Sequence, residues 1–165
     1  MPWHYFANVT VHVLAAMTWL GGMLFLGLVG APVFRAVEPA ELRQRLFRDL
    51  GLRFRSVGWV AIGILVVTGF GNLYYRGWLR WDDALGSAAF WRTTTGTALA
   101  MKTIAVGAMI SISAVHDFLQ GPAASRLVAG TPEALAARRR AMMLARANAL
   151  IGVVVVIAAV RLSRS

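Results

Sequence analysis

The chain has no cysteine. Disulfides, a zinc ribbon and a thiolate nucleophile are therefore excluded, and the redox compartment is left open, because a chain without thiols tolerates either side of a membrane. Charge is scarce too: Asp, Glu, Lys and Arg make up 15% of 165 residues, against about 25% in a typical soluble domain. Acidic residues are the scarcer sign, 7 Asp+Glu against 17 Lys+Arg, for a net charge of +10. Only 3 histidines are present, which limits any metal or haem chemistry built on imidazole. A basic balance suits either nucleic acid or a membrane surface. No nucleic-acid motif accompanies it, so nucleic acid is not an expected partner and the lipid bilayer is.

What the chain has in abundance is apolar surface. Hydrophobic residues make up 58% of it and the mean hydropathy is +0.63, more than a globule of this size can bury. The excess falls into four stretches: Val13 to Phe34 and Val57 to Tyr75 without a charge, Gly96 to Val115 with only Lys102, and Ala141 to Val160 with only Arg146. A bilayer-crossing helix needs about 20 apolar residues, and both internal charges lie within snorkelling reach of a segment end. The expected fold is therefore all-α. It is a polytopic membrane protein, a four-transmembrane-helix bundle in a single domain over 1–165, with spans at about 9–34, 57–75, 96–116 and 141–160. The first stretch follows Met1-Pro2-Trp3-His4-Tyr5-Phe6, which lacks the basic n-region of a signal peptide. It is expected to be retained as a membrane helix.

The basic residues set an orientation. Arg35, Arg43, Arg45, Arg48, Arg53 and Arg55 follow the first span, and Arg126, Arg138, Arg139, Arg140 and Arg146 precede or open the fourth. The other connections and ends hold only Arg76, Arg80, Arg92, Lys102, Arg161 and Arg164. The positive-inside bias then places loops one and three in the cytoplasm and both termini outside. Leu42, Leu46, Phe47, Leu50 and Phe54 alternate with the loop-one arginines at helical spacing, which predicts a short amphipathic cytoplasmic helix. Thr131-Pro132-Glu133 reads as the N-cap and first turn of a second one leading into the fourth span. Trp78, Trp81 and Trp91 with Tyr74 and Tyr75 supply aromatic anchors at the opposite interface, and Asp82 and Asp83 between them read as a solvated turn.

A polar side chain inside a bilayer is costly and is a site hypothesis by default. His12, Thr68, Asn72 and Lys102 share the outer leaflet; His116, Asp117, Arg146 and Asn148, with Ser111 and Ser113 nearby, share the inner one. His12 and His116 lie at opposite depths, and His4 precedes the same helix as His12, so the two histidine pairs of a di-haem cytochrome are absent. On the first helix His12, Trp19 and Met23 fall on one face, with Ala15, Ala16, Gly21 and Gly22 nearby, and Met101 lies at nearly the depth of His12. A His12/Met101 pair suits a single haem b, with Lys102 near a propionate. Imidazole plus the thioethers of Met23 and Met101 suits Cu(I). Against these stands packing filler for the methionines and an interhelical hydrogen bond for His12. His116-Asp117 reads as an ion-pair network, and Gly58, Ala61 and Gly69 as a face open to close helix approach.

The segment from His12 through Trp19-Leu-Gly21-Gly22-Met-Leu-Phe25 to Pro32-Val-Phe-Arg35 resembles the opening helix of CopD-like (copper resistance D) membrane proteins. Arg146-Ala-Asn148-Ala-Leu-Ile-Gly152 is similar to their closing helix. HemJ-type protoporphyrinogen oxidases begin similarly and carry an early Lys and a late His in the third helix, as Lys102 and His116 stand here. Their Leu-Pro-Arg pattern is Gly30-Ala31-Pro32 in this chain. The resemblance implies a bacterial inner-membrane protein, with His12 as a ligand and Lys102 and His116 as secondary positions.

Three functions follow as expectations. The first is a copper-binding or copper-transporting protein using His12 with methionines. The second is a haem b redox protein which, if an enzyme, is a haem-dependent oxidoreductase. The third is a small subunit of a homo-oligomer or larger membrane complex.

Overall fold

A computed structural model describes residues 2–79, 85–122, 127 and 131–163. Trp81, Asp82, Asp83, Arg126 and Arg164 lie outside the described residues, as does Arg80. The described chain is helical throughout its ordered elements, as the composition predicts. Four helices are long and apolar enough to cross a membrane: α1 (Trp3–Arg35), α2 (Ala40–Tyr75), α3 (Thr94–Gln120) and α4 (Pro132–Ser163). The chain divides into two compact units, Met1–Ala88 and Ala89–Ser165, each built on one helical hairpin.

The helices outrun the apolar stretches. The arginine-rich segment after the first span is not a separate helix: it is the first part of α2, one uninterrupted helix of 36 residues. Likewise Pro132 opens α4, which continues through its span. A change in hydropathy marks where a helix leaves hydrocarbon, but it removes no backbone hydrogen bond and so does not end the helix. The turn before α2 is short. Arg43 closes it, donating to the Val37 carbonyl at 3.2 Å and to Glu38 Oε1 at 3.1 Å.

Helix ends follow from local chemistry. Thr131 Oγ1 accepts from the Ala134 amide at 3.2 Å, the N-cap expected from Thr131-Pro132. Thr93 does the same for α3, accepting from the Gly96 amide at 3.0 Å. At the far end of α2, Gly77 takes φ +71. There the Trp78 amide donates to the Leu73 carbonyl and the Gly77 amide to that of Tyr74, at 3.0 and 2.9 Å. This is a Schellman ending, which needs a left-handed residue at Gly77.

In the first hairpin α1 and α2 run antiparallel, in a register that is read from their contacts. Phe54 lies against Gly22, Trp19 against Gly58, and His12 against Thr68 and Gly69. Trp19 is 4% exposed, and a Cβ on Gly58 would sit 3.7 Å from its Cδ1. Small residues thus let the backbones approach, as Gly58, Ala61 and Gly69 suggested. The outward faces are apolar: Met17, Leu28 and Val67 are exposed. The second hairpin repeats this pattern with Ala98, Leu99, Met109 and Ser113 of α3 and Ala134, Asn148 and Ala158 of α4 buried, while Ile104 and Leu150 face outward. Apolar side chains displayed to the surroundings and small or polar ones held between helices suit a lipid solvent.

Candidate functional site

The densest polar grouping in the first hairpin lies near the start of α1 and the end of α2. Asn8 and His12 are one turn apart on α1, and Thr68 and Asn72 one turn apart on α2. That i, i+4 spacing puts each pair on one helix face. Asn8 Nδ2 donates to the Thr68 carbonyl and to Asn72 Oδ1, both at 3.0 Å. His12 Nδ1 lies 2.7 Å from Thr68 Oγ1, and that hydroxyl is 2.6 Å from the Ile64 carbonyl one turn back. Thr68 is 8% exposed and His12 partly buried.

Glycines make room for this cluster. A Cβ on Gly71 would stand 2.6 Å from Asn8 Oδ1, whereas one on Gly69 would meet His12 Cε1 at an ordinary 3.8 Å. Aromatic rings close the end of the hairpin beyond it, with His4 and Tyr5 at 5.3 and 5.4 Å from the Tyr75 ring.

The cluster holds three of the residues that the sequence singled out, His12, Thr68 and Asn72, in direct or one-step contact. Asn8 escaped sequence reasoning because it precedes the apolar run. Its i, i+4 relation to His12 was the available signal.

Other expected residues sit elsewhere. Trp19 belongs to the packing seam over Gly58 and not to the polar cluster. Met23 is placed by α1 eleven residues from His12, an axial rise of about 16 Å. Two ligands of one ion cannot span that length, so sharing a helix face did not make them a pair. Met101 and Lys102 lie on α3 in the second unit, Met101 exposed and Lys102 partly buried.

In that second hairpin Asn148 Nδ2 donates to Ser113 Oγ at 2.8 Å, joining α4 to α3, with Asn148 4% exposed. His116 Nδ1 lies 2.8 Å from Asp117 Oδ1, the ion-pair arrangement expected of those residues. Among the described residues no three His, Cys, Asp or Glu side chains gather as a metal group would. The cluster therefore sets the His12 imidazole beside the Thr68 hydroxyl and the Asn8 and Asn72 amides. Such a setting suits a soft, low-charge ion better than a hard divalent one.

Comparison with known proteins adds a family. The family model described as copper resistance protein D matches residues 48–162. That span contains Thr68, Asn72, Met101, Lys102, His116 and Asn148 but not α1, where the resemblance read from the sequence was densest. An uncharacterized protein of Aquifex aeolicus (strain VF5) is 40% identical over 65 residues, which are 39% of this chain and 44% of that relative. The chain thus matches less than half of that relative's length. No solved structure matches.

Proposed function

The chain belongs to the copper resistance protein D family, and on that premise we propose that it binds copper as Cu(I) through His12, near the start of α1, as part of copper handling across a membrane. The observation that carries this reading is the cluster itself: an imidazole held by a hydrogen bond to Thr68 between two apolar helix segments, beside the amides of Asn8 and Asn72. The cost of bringing an ion into a low-dielectric medium rises with the square of its charge. A neutral cluster thus favours a monovalent ion, and imidazole is a good Cu(I) ligand. The arginine distribution supports placing His12 on the outer side of a bacterial inner membrane.

The experiment is anaerobic Cu(I) titration of the purified protein in lipid nanodiscs against a chromophoric chelator. One tightly held Cu(I) is expected, lost in His12→Ala and retained in His4→Ala and His116→Ala. Full Cu(I) retention by His12→Ala refutes the site. A Soret band in the protein as purified would favour haem b over copper.

A further inference from the structure

We propose that a groove on one side of the first hairpin seats an acyl chain of an anionic phospholipid, whose phosphate is held by Arg53 at the groove's basic end. The proposal does not depend on the copper reading and uses none of the polar cluster's residues.

The groove lies between α1 and α2 and has a volume of about 470 Å³. Its floor is Ala15 and Ala61, 6% and 4% exposed, while Leu14 and Val60 stand at its rims, 57% and 64% exposed. Thr18 and Ser56 supply its hydroxyls, and each donates to its own helix, to the Leu14 carbonyl at 2.9 Å and the Leu52 carbonyl at 3.4 Å. A hydroxyl has one proton to give, so the groove requires no acceptor from its occupant. Hydrocarbon fits such a lining. A closely packed helix needs small residues at the contact surface, whereas here the small residues are buried beneath branched rims. That favours a flexible chain over a second helix.

Depth and charge identify the chain. On α2 the groove extends from Ser56 to Ile64, a rise of about 12 Å, against about 15 Å of hydrocarbon in one leaflet. It starts where the arginine-rich part of α2 gives way to the uncharged run from Val57. Arg53 is exposed and lies one turn before Ser56 and Val57, which puts it on their face of the helix. Helical side chains lean toward the helix N-terminus, so the guanidinium is directed away from the hydrocarbon and toward headgroup level. There it meets a phosphate with the planar donor pair that suits one. Asp49, one turn further, is already paired with Arg48 at 3.4 Å. The arginine bias makes this the cytoplasmic leaflet, which carries the anionic lipid.

The test is native mass spectrometry of the full chain in detergent, titrated with phosphatidylglycerol or phosphatidylcholine carrying the same acyl chains. The first phosphatidylglycerol is expected to bind about fivefold more tightly than the first phosphatidylcholine, the factor that one arginine near a lipid surface contributes. Arg53→Gln is expected to remove that preference. Arg48→Gln deletes the same charge from another face of α2 and is expected to keep it. Val60→Trp fills the groove from an exposed position, where folding tolerates the larger ring. It is expected to weaken the first binding event of both lipids. No preference in the parent overturns the proposal, and so does an equal loss in Arg48→Gln and Arg53→Gln, which means diffuse charge attraction. Undiminished lipid binding to Val60→Trp overturns it too, as does a dimer that takes up lipid only on dissociation, which seats a second copy in the groove.

Discussion

Gly71→Ala, compared with Gly69→Ala, isolates what the polar cluster contributes to holding α1 against α2. Both glycines lie inside α2, so the helix-propensity gain on replacing Gly by Ala is common to the two variants and cancels in their difference. The surroundings differ sharply. The new methyl at position 69 meets His12 Cε1 at 3.8 Å, ordinary contact, while at 71 it stands 2.6 Å from Asn8 Oδ1. No pair of such atoms tolerates that distance, and the side chain that can move is Asn8. Its movement breaks the bonds to the Thr68 carbonyl and Asn72 Oδ1. Interhelical hydrogen bonds in membranes average about 0.6 kcal/mol each, so the difference between the variants is expected at about 1.2 kcal/mol, a roughly sevenfold shift in the unfolding equilibrium.

The assay is SDS denaturation of the full chain in mixed micelles, followed by the 19F signal of fluorinated Trp19. That ring lies against Gly58 across the first hairpin and reports on the packing of α1 on α2. In an Asn8→Ala background the difference between the two variants should vanish, since the group that clashes and the bonds that are lost are both gone. Equal stability of Gly71→Ala and Gly69→Ala, or a difference that survives Asn8→Ala, refutes the reasoning.

Three more outcomes follow from the second hairpin and the topology. Gly96→Ala puts a methyl onto the Phe90 carbonyl and within 2.9 Å of Trp91 Cα. This is backbone that cannot swing aside, so the Thr93 cap should be lost at a cost of about 1 kcal/mol. Faster hydrogen exchange in the first turn of α3 is the readout, and unchanged exchange would sink it. Ser113→Ala and Asn148→Ala should each destabilise the hairpin by about 0.6–1.7 kcal/mol, and the double variant by clearly less than the sum. Additive costs would mean that the 2.8 Å bond contributes nothing. Because the native chain has no cysteine, single cysteines report orientation cleanly. Leu79→Cys should react with an impermeant maleimide on intact cells and Glu41→Cys only after permeabilisation, and the reverse pattern would invert the topology.

Span number was legible because four apolar runs leave no other way to solvate the chain. Which face of each helix turns inward was legible only in part. In lipid both faces are apolar, so hydropathy has no periodicity to read. The informative residues are the small and polar ones, and Gly58, Ala61, Thr68 and Asn148 do lie in the helix seams. Depth arguments also grouped His12 with Thr68 and Asn72, and Ser113 with Asn148, before their hydrogen bonds were known. Depth fixes only one coordinate, however. The His12–Trp19–Met23 stripe adds a second coordinate, the helix face, but not closeness along the helix axis. Asn8 was missed for a related reason: a residue outside the apolar run still belongs to the same helix.

The prolines show how backbone chemistry turns into site geometry. Pro32 and Pro122 lack the N–H that would bond to Leu28 and Phe118, and their rings crowd those carbonyls. A helix ending before each proline is the ordinary outcome. Here each helix widens instead, into π-helical turns over Leu26–Gly30 and Val115–Gln120, and the first continues past its proline to Arg35. In α1 this carries the helix on to Arg35, next to the turn that Arg43 closes through the Arg35 and Val37 carbonyls. In α3 it has a chemical consequence. Successive side chains on a regular α-turn do not face each other, but a wider turn rotates less per residue and brings neighbours closer in angle. The His116–Asp117 contact at 2.8 Å lies within that widened stretch. The pair is thus explained by the proline beyond it, so its presence does not require a ligand, whereas the His12–Thr68 contact joins residues 56 apart in sequence across two regular helical turns. That contrast is the physical ground on which the proposed copper site is placed at His12 and not at His116.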